Sequence, residues 1–182
     1  MKRPSHPPVN RALHRSMAEL MKAMVEPHEH SLELKHIVLR KLTGARLSSQ
    51  CARLTSEEGV IGDRWSLGSK PVRGEQVAVI EHRWLSLVAN GQPLSLAGDN
   101  LIVDAPLHLA GVGQRVQLGE VLMEVSPEPH NGCSLFAQRF GVPALKWTLL
   151  PEHSELKLRG IYCTVIQGGD VSVGDCWHWC SI

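Results

Sequence analysis

The strongest constraint on the fold is a series of short strand-like segments separated by glycine turns. The clearest is a hairpin, in which Arg115–Leu118 and Val121–Val125 flank the dipeptide Gly119-Glu120. Further strand-like runs are predicted at residues 32–40, 76–81, 101–103, 161–166 and 176–182. Many short strands with little helix predict a mainly β protein, a closed or nearly closed β-barrel with a few peripheral helices.

Helical patterns are confined to a few segments. Asn10 is placed to cap a helix over residues 11–25. Its apolar stripe comprises Leu13, Met17, Leu20, Met21 and Met24. We expect this helix to lie on the domain surface, although a methionine-rich face could instead dock a partner protein. A second helix is predicted over His82–Ala89, closed by Asn90.

The length and composition fit one domain with an N-terminal extension. The 182 residues, 43% apolar and 20% charged, are enough to bury an ordinary core. We expect the extension over residues 1–30 and the barrel domain over residues 31–182. The net charge of +1 gives no footprint for nucleic acid, and no apolar run approaches the ~20 residues of a membrane span. We therefore expect a cytoplasmic protein whose partners include neither nucleic acid nor a membrane.

One stretch, residues 127–141, concentrates reactive groups. Two prolines end the preceding strand, and Cys133 follows where a helix is predicted to begin, with Ser134 as its cap and Gly141 closing it. The positive end of the helix dipole and the nearby His130 both favour the thiolate form of this cysteine. A thiolate attacks electrophiles and binds soft metals, so Cys133 is the leading catalytic and metal-binding candidate. His130 is the candidate to orient or protonate whatever the thiol holds.

Each of these candidates has a plain structural alternative. Cys133 could be a buried structural cysteine, and His130 could be a loop histidine in water. The chain has 5 cysteines, an odd number and widely spread, which does not form a disulfide framework. Cys176 and Cys180 flank His178 and could form a local metal clip, although that tail also alternates like a strand.

Six short motifs occur in one order along the chain. They lie at residues 59–64, 98–101, 112–119, 132–133 with 140–141, 158–161 and 169–175. In this order they resemble the MOSC domain, the module named for the C-terminal part of molybdenum-cofactor sulfurases. Each motif alone is weak, and the specificity comes from the order. The resemblance covers about residues 34–176 and leaves the N-terminal helix outside.

The resemblance implies a β-barrel-rich module whose cysteine, here Cys133, ligates molybdenum or carries sulfur. Some family members occur beside a sulfurase that binds pyridoxal phosphate, and others belong to molybdenum-dependent reductases of N-hydroxylated substrates. Many stand alone. The implied cofactor is therefore the molybdenum cofactor (molybdopterin), and the implied partner is a redox or sulfurase protein. Many members have proline before the cysteine, whereas this chain has Gly132, as in the short stand-alone branch.

The same resemblance implies further cofactor-binding residues. Arg159 would face the cofactor pocket, where a guanidinium pairs with a phosphate or a pterin edge, unless it is a surface arginine. Asp63 with Arg64, and Asp99 with Asn100, would line the same cleft, although turn chemistry explains these pairs nearly as well.

Three functions follow from these patterns. The leading one is binding of molybdenum cofactor, or of sulfur destined for it, through Cys133, with molybdenum-dependent reductase or sulfur-transfer chemistry. The alternative is a non-enzymatic carrier or adaptor that docks a partner enzyme through the N-terminal helix. The third is a degenerate barrel whose cysteine is simply packed in the core.

Overall fold

Two β-sheets form the body of the protein. The computed structural model describes residues 8–68 and 71–181. The strands are β1 (Leu34–Arg40), β2 (Arg46–Ser49), β3 (Cys51–Thr55), β4 (Gly59–Val60), β5 (Val77–Glu81), β6 (Leu101–Val103), β7 (Arg115–Leu118), β8 (Val121–Val125), β9 (Ile161–Gln167), β10 (Gly169–Ser172) and β11 (Trp177–Trp179). The predicted hairpin is confirmed, since β7 and β8 have the predicted bounds.

Four α-helices and several short 3-10 helices surround the sheets. The α-helices are α1 (Met17–Ala23), α2 (His82–Ala89), α3 (Ser134–Phe140) and α4 (Val142–Thr148). The 3-10 helices are Arg11–Leu13, Arg73–Glu75, Leu94–Ala97, Leu107–Leu109 and Pro151–Leu156. The predicted second helix is confirmed as α2, and Asn90 closes it in the left-handed conformation at φ 47°. Within the described residues, no helix combines the length and apolarity that crossing a bilayer requires.

The larger sheet is a single curled layer of eight strands. Their order is β11-β7-β8-β9-β5-β6-β1-β2, and the smaller sheet has the order β10-β3-β4. The pair β5 and β6 is parallel, and α2 supplies the crossover that a parallel pair needs. Only Gln50 separates β2 from β3, so one extended segment passes from the larger sheet to the smaller one.

Backbone hydrogen bonds bring the two ends of the larger sheet together. Leu34, at the start of β1, donates its N–H to the carbonyl of Asp175 (2.8 Å) and accepts one from Gly174 (2.8 Å). Trp177 of β11 donates to the carbonyl of Leu32 (2.6 Å). Because β11 is the opposite edge strand, these bonds make the sheet a nearly closed barrel. The mainly β fold with peripheral helices is confirmed.

The two faces of the larger sheet bury two separate cores. Successive strand residues point to opposite faces, so Ile37 lies in the barrel interior while Val38 faces the helices. On the outer face, Val38, Ile80 and Ile102 pack with Trp147 of α4 and the other helices. The helices therefore form a layer on one side of the barrel, next to the segment that carries Cys133.

The predicted N-terminal helix is divided in two. Asn10 caps only the 3-10 helix Arg11–Leu13, and α1 begins after Ser16. The Ser16 hydroxyl accepts from the backbone of Glu19, whose carboxylate accepts from the Ser16 N–H. This reciprocal capping box gives Ser16 a better role as a new N-cap than as an interior residue of one long helix.

The apolar stripe of α1 faces the protein. Leu20 is fully buried, and Met17 and Met24 pack against the same helix-side core. Met21, at 39% exposed, is the methionine of the stripe that reaches solvent. The helix lies on the domain surface as expected, and the face that the adaptor hypothesis required for a partner is largely occupied by the core.

Gly160 precedes β9 and is expected to be irreplaceable. Its φ is +96°, and an added Cβ would lie 2.1 Å from the carbonyl oxygen of Val79. Gly174 has nearly the same φ of +98°, yet its Cβ would meet no described atom within 4 Å. We expect G160A to lower the free energy of unfolding by at least about 3 kcal/mol, because left-handed strain and overlap with backbone add.

The matched variant G174A introduces the backbone strain alone and should cost about 1 kcal/mol. Urea denaturation of both variants measures the difference. Equal losses would show that the close approach of β5 to Gly160 is not as described.

Candidate functional site

A buried ion pair lies at the base of the candidate site. Arg159, directly before β9, donates from Nη1 to both carboxylate oxygens of Asp99, at 3.0 Å each. Their side chains are 8% and 0% exposed. The guanidinium also lies over the ring of Phe136 in α3, 4.7 Å from its centroid. The surface-arginine alternative for Arg159 is therefore ruled out, and Asp99 is its anchor.

His130 is enclosed beside this ion pair. Its side chain is 4% exposed, its Nε2 lies 3.4 Å from Asp99 Oδ1, and its ring lies 4.1 Å from that of Tyr162. Burial, followed by the charge of Arg159, lowers the pKa of His130 to about 3, against the opposing effect of Asp99. His130 is therefore neither a loop histidine in water nor a cation at neutral pH. The expected help from a positively charged His130 to the Cys133 thiolate is not available.

A second buried network holds Arg40 in place. Asp63 accepts hydrogen bonds from the Arg40 backbone N–H (2.7 Å) and from its Nη2 (2.8 Å). Asn100 donates to Asp63 Oδ2 (3.0 Å) and accepts from the N–H of Ala78 (3.1 Å). Burial opposes ionisation of Asp63, but the bonds from Arg40 outweigh it and lower its pKa. Asp63 and Asn100 thus bond to protein groups and support Arg40.

Three further arginines converge near these networks. Burial, followed by the charges of Arg139, Arg64 and Arg40, lowers the pKa of Arg46 to about 10. Burial also lowers the pKa of Arg139, with Arg64 and Arg159 adding to the shift. Within the described residues, none of Arg46, Arg64 and Arg139 forms an ion pair with a carboxylate. We call the five residues Arg40, Arg46, Arg64, Arg139 and Arg159 the arginine cluster. Their five positive charges outnumber the two negative charges of Asp63 and Asp99.

Some buried polar atoms of the site have no partner. Arg46 Nε, Arg159 Nε and His130 Nδ1 are buried without a hydrogen bond to any described residue. Because the Asp99 carboxylate only accepts, we assign the imidazole proton to Nε2, which leaves a lone pair on Nδ1. Unpaired buried donors are costly unless a ligand pairs with them. Two free donors, one acceptor and excess positive charge suit an anionic ligand with a mixed polar edge.

Cys133 is exposed at the start of α3. It is itself the N-cap residue, and the predicted cap Ser134 is the first helical residue. The Cys133 carbonyl accepts from the N–H groups of Phe136 (3.0 Å) and Ala137 (3.3 Å), while its side chain forms no capping bond. The thiol is therefore reachable from solvent, and the alternative of a buried structural cysteine is wrong for this position.

Arg139, six residues after Cys133 in α3, is close enough for the charges of the two groups to interact. A negative charge on Cys133 opposes the lowering of the Arg139 pKa by burial. Arg139 also donates from Nη1 to the carbonyl of Leu96 (2.7 Å), which fixes its position. The exposed thiol thus borders the arginine cluster.

Gly132 has a steric reason to be small. An added Cβ would lie 2.0 Å from Cδ1 of Leu145 in α4 and 3.9 Å from Cδ of Arg159. A side chain at this position would require the end of the Leu145 side chain to move. The glycine before the cysteine is therefore part of how this chain packs α4 against its site.

A cavity of about 390 Å³ opens on the segment before Cys133. It is lined by residues 126–131, 148–151 and 157–161, with others, and so includes His130 and Arg159. Cys133, Arg139 and Arg46 are not among its described lining residues. We place the candidate site at the thiol and the arginine cluster, because the reactive and charged groups meet there.

Several contributors to the site were not predicted from the sequence. Arg40 and Arg46 pair with each other across the adjacent strands β1 and β2. Arg139 comes from α3, and no sequence spacing links it to them. The local clip proposed for the C-terminal cysteines does not form in the described part of the chain, because the donor atoms of Cys176, His178 and Cys180 do not lie close enough together to share one ion. Cys163 is fully buried, and burial raises its pKa to about 12.

Similarity to known proteins agrees with this architecture. A family model for the MOSC domain matches residues 81–176. The YuaD protein of Bacillus subtilis shares 14% identity and a TM-score of 0.60, over 80% of this chain and 93% of that chain. YiiM from Escherichia coli shares 19% identity and a TM-score of 0.57, over 82% and 70%. YiiM from Geobacillus stearothermophilus shares 13% identity and a TM-score of 0.56, over 82% of this chain and 75% of that chain.

At these identities the solved structures show a shared fold. No curated protein sequence matches the chain. The family match spans more than half of the sequence and runs from Glu81, at the end of β5, to the exposed Cys176. On the combined strength of this match and the shared fold, the chain belongs to the MOSC domain family.

Proposed function

We propose that this protein binds the molybdenum cofactor, or sulfur destined for it, through Cys133. The observation that carries the proposal is an exposed thiol that forms no helix-capping hydrogen bond and lies near an arginine cluster with excess positive charge. A soft thiolate suits both molybdenum and persulfide sulfur. Membership of the MOSC family supports the same assignment.

The residues present fit an anionic pterin cofactor. Arg46, Arg64 and Arg139 lack carboxylate partners among the described residues and would pair with its phosphate. The free Nε donors of Arg46 and Arg159, with the lone pair of His130 Nδ1, would pair with the polar edge of the pterin. Asp99 would hold Arg159 in place for this contact.

Three residues of the chain would have separate roles beside the bound cofactor. When bound, the cofactor would supply the redox chemistry needed to reduce an N-hydroxylated compound. Cys133 would hold the metal or carry the sulfur, and Arg139 would supply positive charge beside the bound ligand. His130 is uncharged at neutral pH and would act as a hydrogen-bond acceptor that orients the ligand, not as a proton donor.

Replacing the thiol tests the proposal most simply. We expect C133S, purified from a cell that makes the molybdenum cofactor, to lose at least about tenfold in bound molybdenum or transferable sulfur, because a hydroxyl is a poor soft ligand. C51S removes another exposed cysteine and should keep the wild-type content. Elemental analysis and a sulfane-sulfur assay measure both, and unchanged loading in C133S would contradict the proposal.

Removing Arg46 should separate binding from stability. Burial beside three other arginines makes its charge unfavourable in the folded state, although its partial exposure weakens the effect. We expect R46M to raise Tm by about 2–4 °C in ligand-free protein, the shift produced by roughly 1 kcal/mol. The same variant should lower molybdenum content about tenfold, because a charge-assisted bond is lost.

R53Q alters an exposed arginine paired with Asp170 and should change neither quantity. A lower Tm together with full loading in R46M would show that Arg46 is structural and not a ligand of the cofactor.

The buried His130 predicts a specific pH dependence. Its folded-state pKa of about 3 lies below the value of 6.5 for a free histidine, so the unfolded chain binds more protons between these values. Stability should therefore fall as pH drops below about 6.5, with this group contributing up to about 1.4 kcal/mol per pH unit.

In H130Q this contribution disappears, and the free energy of unfolding should depend less steeply on pH between 7 and 4. Urea denaturation across that range measures the slope. H178Q, in which an exposed histidine is replaced, serves as the control. A slope in H130Q equal to that of wild type would contradict the neutral, buried state of His130.

A further inference from the structure

A second cluster of ligand-forming side chains lies at the opposite end of β6 from the candidate site. Asp99 precedes β6, whereas Asp104 follows it. Strands β5 and β6 run parallel with Glu81 opposite Val103, so the carboxylates of Glu81 and Asp104 lie at the same edge of the sheet. This edge is separate from Cys133 and the arginine cluster.

The segment between α1 and β1 crosses this edge and is attached to it. Leu32 donates its N–H to the Asp104 carbonyl (2.9 Å), and Asp104 donates its own to the Glu33 carbonyl (2.8 Å). Two histidines of the segment, His28 and His30, are thereby held over the carboxylates. The N-terminal extension and the barrel domain meet here.

The side chains form a connected set. His28 Nε2 lies 2.7 Å from Asp104 Oδ1, and the Ser31 N–H and hydroxyl both donate to Asp104 Oδ2, at 3.1 and 3.0 Å. His30 Nε2 lies 3.0 Å from Oε1 of Glu81, which is 1% exposed. Because the Glu81 carboxylate only accepts, the His30 proton lies on Nε2 and its Nδ1 carries a lone pair.

The donor atoms are close enough to share one ion. One donor each from His28, His30 and Asp104 lie within 4.8 Å of one another. Tetrahedral zinc with bonds of about 2.0 Å places its donors ~3.3 Å apart, so binding needs only a modest closure. The His28 and His30 side chains are 27% and 18% exposed and lie in a segment without helix or strand, which leaves them room to rotate.

We propose that His28, His30 and Asp104 bind a divalent transition-metal ion of the zinc type, which fastens the N-terminal extension to the barrel. Two imidazoles and one carboxylate favour zinc-like ions over magnesium and calcium, which prefer oxygen ligands. Glu81 lies behind His30 as the carboxylate that orients a metal-binding histidine. With Asp104 and Glu81 both negative, the ion's two charges are balanced.

Cobalt titration of the full chain, freed of metal with a chelator, tests the proposal. We expect one saturable Co²⁺ site per chain, with ligand-field absorption bands but no thiolate-to-cobalt charge-transfer band, and displacement by Zn²⁺. H28A and D104N should each weaken binding at least about tenfold, and E81Q by about tenfold through His30. H178A removes an exposed histidine elsewhere and should bind as wild type does.

The thermal melt of each metal-free variant checks its folding. We expect H28A to disturb the fold least, because the His28 side chain is partly exposed. C133S should retain the site, so failure of the molybdenum proposal leaves this one intact. Non-saturable binding, wild-type affinity for Co²⁺ in H28A and D104N, or a thiolate-to-cobalt band would each overturn it.

Protection of the extension gives a second readout. Zinc should slow limited proteolysis within residues 24–31 of the wild-type chain at least about tenfold, if the ion closes this segment onto the barrel. The protection should be absent in H28A. Equal cleavage of wild type with and without zinc would contradict the fastening role.

Discussion

The buried pair of Arg159 and Asp99 is the interaction on which the site depends. It joins the start of β9 to the loop before β6, carries Phe136 of α3 on its guanidinium and encloses His130 beside it. Removal of one partner would leave an uncompensated buried charge, at a cost of about 3–5 kcal/mol. The same pair therefore links α3 to the barrel, and the Nε of Arg159 is buried without a partner among the described residues. The Arg159–Asp99 contact therefore contributes both to the stability of the fold and to the candidate site.

The arginine cluster, in contrast to this ion pair, destabilises the ligand-free protein. Asp63 and Asp99 neutralise two of its members, and Arg46 and Arg139 keep charges that burial and the neighbouring arginines disfavour. Such an arrangement weakens the ligand-free protein and is strengthened by an anion that fills it. An exposed thiol at its border is the position where that anion and a soft ligand would meet.

Much of this architecture could be predicted from the sequence. The hairpin, α2 and Gly141 closing α3 follow from local alternation and turn chemistry, and the motif order identified the family. The division of the N-terminal helix at Ser16 was missed because a capping box outweighed a continuous apolar stripe. Arg40 and Arg46 were missed although they pair across β1 and β2, and Arg139 was missed because only the packing of the helix layer on the sheet brings it near them. The burial of His130 depends on Asp99 and Tyr162, which no local pattern connects to it.

Native mass spectrometry of the chain purified from a cell that makes the molybdenum cofactor tests the central claim most directly. The account predicts a fraction of molecules that carry either the cofactor or one additional sulfur atom, with peptide mapping placing the sulfur on Cys133. A population made only of the bare chain, with Cys133 unmodified in every molecule, would contradict it.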